Sequence, residues 1–74
     1  MFQVQFATLP IRNGETKNWH FESQIINVEV ALKAFSGNNV SCRVVGVSGR
    51  EVTVTASSDT DKPMEVLIIA LVES

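Results

Sequence analysis

Ile26, Val28, Val30, Leu32 and Ala34 put an apolar side chain at every second position, and the same two-residue period recurs in five further segments of this 74-residue chain. Successive side chains of an extended strand point to opposite faces, so such a period builds a strand with one apolar face. Phe2, Val4 and Phe6 share a face against Gln3 and Gln5, and Trp19 and Phe21 oppose His20 and Glu22. Cys42 and Val44 alternate with Ser41, Arg43 and Val45, while Val52, Val54 and Ala56 alternate with Glu51, Thr53 and Thr55. The last segment sets Val66, Ile68, Ala70 and Val72 against Leu67, Ile69 and Leu71. Residue type agrees with period: 21 of the 74 residues are Val, Ile or Thr, whose branched side chains fit a pleated surface and lose freedom in a helix.

One segment admits a second reading. Ser23 can cap a helix over 25–35, where Ala31, Leu32 and Ala34 favour helix. That helix would place Glu29 and Lys33 on a face shared with Ile25 and Ile26 and blur its apolar stripe, so the alternation from Ile26 to Ala34 predicts a strand. Turn residues separate the segments: Asn13-Gly14, Ser36-Gly37-Asn38-Asn39, Ser48-Gly49 and the polar stretch 57–63. Pro63 cannot donate to a ladder and is expected at the entrance to the last strand. The whole reads as all-β, a small antiparallel β-sandwich of about six strands forming a single domain over 1–74.

If consecutive strands alternate in direction, loops 9–15, 36–39 and 57–63 gather at one end, and 22–24 with 48–49 at the other. The first end collects Arg12, Asn13, Glu15, Asn38, Asn39, Asp59, Asp61 and Lys62. Loop clusters on rigid sheets favour binding, which makes Asn38, Asn39, Asp59 and Asp61 candidate ligand residues, with His20 and Arg43 contributing from a sheet face. Ordinary turn chemistry accounts for the same residues. Val66 to Val72 carries no polar residue on either face. That strand is either central and covered on both sides or turned toward another chain, so Leu67, Ile69 and Leu71 are candidate oligomer-interface residues. A domain this small buries little surface alone, which favours a homo-oligomer.

Little in the sequence points to catalysis. The single histidine cannot form an imidazole pair for a metal, and the single cysteine can form neither an internal disulfide nor a zinc site. Cys42 lies within a strand pattern, where a buried structural thiol is expected rather than a nucleophile. His20 has no local partner for a serine triad, and no glycine-rich phosphate cradle occurs. Asp59-Thr60-Asp61 has the spacing of half a calcium loop without the remaining oxygen ligands, and an Asx turn explains it. No enzyme activity, metal or cofactor is expected. A net charge of −2 gives no reason to expect nucleic acid, and no apolar run is long enough to span a bilayer. The reading includes no signal peptide, and a reduced lone cysteine is compatible with cytoplasm or a phage particle.

The order Trp19-His20-Phe21, a short turn, then Val28-Glu29-Val30-Ala31-Leu32-Lys33-Ala34-Phe35 resembles part of the H-type lectin-like β-sandwich family. Gly49-Arg50 before Val52-Thr53-Val54 is similar to that family's penultimate hairpin, and Val66-Leu67-Ile68-Ile69-Ala70-Leu71-Val72 to its last apolar strand. The resemblance spans about residues 16–73. It implies a six-stranded sandwich assembled as a trimer or hexamer, with sugars held near subunit boundaries. Two expectations follow: a non-catalytic oligomeric carbohydrate-binding module, or a structural and assembly protein, such as a phage or virion component, with no small-molecule ligand.

Overall fold

A computed structural model describes residues 1–74. Six strands carry the chain: β1 (Phe2–Ile11), β2 (Thr16–His20), β3 (Ile25–Ala34), β4 (Ser41–Ser48), β5 (Glu51–Ser57) and β6 (Met64–Glu73). They form two three-stranded antiparallel sheets, ordered β1-β6-β3 and β2-β5-β4. There is no helix, and residues 25–34 are extended as the alternation requires. Pro63 stands immediately before β6, where its missing N–H interrupts no ladder.

The centre of each sheet is its most apolar strand. On β6, Val66, Ile68, Ala70 and Val72 are fully buried, and on β5 Val52 and Val54 are fully buried with Ala56 beside them. They join Ala7, Leu9, Ile11, Phe21, Ile25 and Met64 in one cluster of 13 buried residues drawn from both sheets. No polar or charged residue is buried.

Two faces run differently from the simplest reading of the period. In β1 the core side is held by Ala7, Leu9 and Ile11, and so Phe2, Val4 and Phe6 point outward, with exposures of 60%, 53% and 65%. Both faces of that strand carry apolar residues, so its period alone does not say which one turns inward. In β3 the register slips between Ile25 and Asn27. The bulge hands the buried position to Ile25 and turns Ile26 out, while Val28 and Val30 stay packed against the core.

Candidate functional site

The expected gathering of loops is present. At one end the Arg12 guanidinium donates to the Asp61 carbonyl at 2.8 Å, and the Asn13 side-chain oxygen accepts from the Ser58 N–H at 3.0 Å. The Asn38 N–H donates to Asp59 Oδ1 at 2.8 Å, and the Asp59 N–H returns a bond of 3.3 Å to the Asn38 carbonyl. Asn39 completes the turn at a φ of 54°, a left-handed conformation that asparagine tolerates well. At the other end the Phe21 and Ile25 N–H groups donate to the carbonyls of Arg50 and Gly49, at 2.8 and 2.9 Å. The Asp59 carboxylate thus ties loop 36–39 to loop 57–63 across the chain rather than closing an Asx turn on its own loop, where the hydroxyls of Ser58 and Thr60 accept from the N–H groups two residues on.

The six candidate ligand residues do not form one site. Asn38, Asn39, Asp59 and Asp61 share the loop end, whereas Arg43 lies on the outer face of β4 opposite Thr55. His20 pairs with Glu51 at the far end of β5, with Nε2 to Oε2 at 3.0 Å and the imidazole 72% exposed. The six steps from Glu51 to Ser57 put roughly 20 Å between His20 and the loop end. The face between them is a polar lattice: Thr53 Oγ1 donates to Asn18 Oδ1 at 2.9 Å, and the hydroxyls of Ser41 and Ser57 lie 2.9 Å apart. Cys42 is half-buried, and desolvation pushes its thiol above the ordinary value, the opposite of the shift that activates a nucleophilic cysteine. No three His, Cys, Asp or Glu side chains come together as a metal cluster.

Two surface features carry more than the loop end. The first is the outer face of β1-β6-β3. The register places Val4 beside Leu71, Phe6 beside Ile69 and Thr8 beside Leu67, with Asn27, Glu29 and Ala31 across β6 on the other side. Leu67, Ile69 and Leu71 are therefore half-buried by their own sheet neighbours, and no further layer of this chain covers them. A shallow groove of about 290 Å³ follows Ile69 and Leu71 between Val4 and Glu29. Lys33 reaches across the same face to donate to Thr8 Oγ1 at 3.1 Å.

The second is a cleft of about 460 Å³ where β1 and β2 run at neighbouring edges of the two sheets. Phe6 and Trp19 supply ring surfaces, and Gln5, His20 and Glu22 supply polar groups. Trp19, half-buried, stands edge-on to Phe21 with centroids 6.5 Å apart. Sequence periodicity passed over this cleft because Trp19 reads as a core residue. Its signal was Gln5, which with Gln3 makes polar the first part of the face on which Ala7, Leu9 and Ile11 turn inward.

Comparison with protein-family models, with curated proteins and with solved structures finds no match.

Proposed function

We propose that this chain is a non-catalytic β-sandwich module that works by self-association, with the outer face of β1, β6 and β3 laid against other copies. The observation that carries this reading is the outward stripe of Phe2, Val4 and Phe6, each more than half exposed, beside the half-buried Leu67, Ile69 and Leu71. Monomers rarely leave so continuous an apolar face wet. Glu29 and Lys33 frame it with opposite charges, in keeping with the polar rim of an interface. The role is that of a structural or assembly component, in a trimer or hexamer as the lectin-like resemblance implies.

Light scattering on the purified protein tests it. The unmodified chain is expected to run as an oligomer, and Ile69→Lys is expected to lower its mass by at least half while leaving the circular dichroism of the strands unchanged. An unmodified chain that stays monomeric at high concentration overturns the reading.

The cleft between β1 and β2 favours a second reading, an oligomeric carbohydrate-binding module. Sugar rings need an aromatic face for their C–H surface and fixed polar groups for their hydroxyls, and Phe6 and Trp19 with Gln5, His20 and Glu22 supply both types. On this reading a glycan found by array screening loses about tenfold or more in affinity with Glu22→Ala and keeps its affinity with Asp61→Ala. An intact oligomer that retains no glycan leaves the assembly role alone.

A further inference from the structure

Two sheets of three strands leave four edges, and three of them are blunted against pairing with another chain. β2 is five residues long and carries Lys17. β4 breaks register between Val44 and Gly46 and carries Arg43. β3 slips register twice, carries Glu29 and Lys33, and has its Val28 N–H occupied by Asn27 Oδ1 at 2.9 Å. Short strands, charges and bulges are the devices by which sheets avoid edge-to-edge addition. β1 has none of them over its first seven residues. From Phe2 to Thr8 it is uncharged, it is in unbroken register with β6, and no strand pairs with its other side.

The direction of its main-chain groups follows from one bond. The Ser74 N–H donates to the Met1 carbonyl at 3.0 Å, which makes Met1 a hydrogen-bonded pair with β6. In an antiparallel ladder such pairs alternate. Gln3, Gln5, Ala7 and Leu9 then point their N–H and C=O groups at β6, while Phe2, Val4, Phe6 and Thr8 point theirs away. Pro10 agrees with this phase. It has no N–H to leave unpaired on the open side, and its outward carbonyl accepts from Lys17 Nζ at 2.8 Å. The open edge thus ends at Thr8, and the side chains above its free amides are those of the outward apolar stripe.

We infer that this edge is completed by the same edge of a second copy, antiparallel about a two-fold axis at Gln5. Centring the pair there matches the whole open stretch to itself: Phe2 faces Thr8 of the second copy and Val4 faces its Phe6. All four outward residues find both main-chain partners, eight hydrogen bonds across the joint. Phe2 and Phe6 expose more than half of rings that carry about 150–250 Å² each. The two copies therefore bring on the order of 500 Å² of exposed aromatic surface to the joined strands, part of it closed where Val4 of one copy lies beside Phe6 of the other and the rest continuous with the merged outer face. The strand has no charge that self-pairing would set against its like. The inference rests on the self-association reading above and deepens it, because joining two edges merges two apolar faces into one across a six-stranded sheet. It requires an even number of copies, which a hexamer satisfies and a lone trimer does not.

Amide exchange on the unmodified oligomer tests this directly. The amides of Phe2, Val4, Phe6 and Thr8 have no acceptor within their own chain, so protection there needs a second copy. They are expected to exchange more than about 100-fold slower than an open strand edge. Val4→Pro, which removes no bond within the chain, and Val4→Lys, which sets lysines near one another across the axis, are each expected to halve the mass of the assembly. Fast exchange at the four amides in an intact oligomer, or an unchanged mass for Val4→Pro, overturns edge pairing and leaves association through the face standing. A monomeric unmodified chain overturns both.

Discussion

Truncation of Ile68 to alanine is expected to cost about 2–5 kcal/mol. Ile68 is fully buried at the middle of β6, opposite Ala7 on β1 and Val30 on β3. It lies between two other strands within a cluster drawn from both sheets, so the space it vacates cannot close by one side chain moving. A domain of this length has a total stability of roughly 4–11 kcal/mol, so the loss is a large part of the whole. Thermal unfolding followed by circular dichroism is expected to drop by at least about 10 °C. Ile69→Ala is the matching control. One residue along, on the opposite face and only half-buried, it is expected to cost the dissociated chain less than about 1.5 kcal/mol. Equal effects at the two positions would contradict the placement of the core.

Gly37→Ala is the second large effect. Gly37 has a φ of 98°, and a Cβ built there lies 2.5 Å from Asp59 Oδ1 and 2.8 Å from Thr60 Cγ2. The substitution strains the backbone and displaces the carboxylate that accepts from the Asn38 N–H. Strain at such a conformation costs about 1–3 kcal/mol, and a lost bond to a charged acceptor about 1.5–3 kcal/mol. Partial relaxation of the exposed loop brings the expected sum to about 2–4 kcal/mol. Gly49→Ala separates the two causes, because its φ is 61° but nothing lies within 4 Å of the added carbon. It is expected to cost only about 1–2 kcal/mol, and denaturant titration of both variants reads the difference.

The strands were legible in the sequence because period, branching and turn residues agree over most of the chain. Val52, Val54 and Ala56 show this well: one face apolar, one face polar, and the burial follows. The seven apolar residues of β6 left two readings open, a central strand covered on both sides or one turned toward another chain; β6 is central in its sheet, and its outer face has no further layer of this chain over it. What escaped has physical reasons. β1 is apolar on both faces toward its middle, so nothing local decides between Phe6 and Ala7 for the interior. The bulge at Ile25–Asn27 moves one residue without leaving a mark in the residue types. Strand order is a property of distant segments, so the open edge of β1 and the cleft beside Trp19 appear only once β1 is seen next to β6. The loop end was foreseen as a place, yet the role of Asp59 in bridging two turns depends on Gly37 lying against it.

The pairing of β1 with β6 also has a bearing on synthesis. Of these six strands the first made, β1, has its only sheet partner in the sixth, since Phe2 pairs with Glu73 and Ile11 with Met64. Until β6 has been made, an uncharged strand bearing two phenylalanines waits with both edges open. The β2-β5-β4 sheet needs nothing from β6 and can close earlier. Pairing of β1 is therefore a late event of folding, joining segments more than fifty residues apart, and an apolar strand stays available to other chains until it happens.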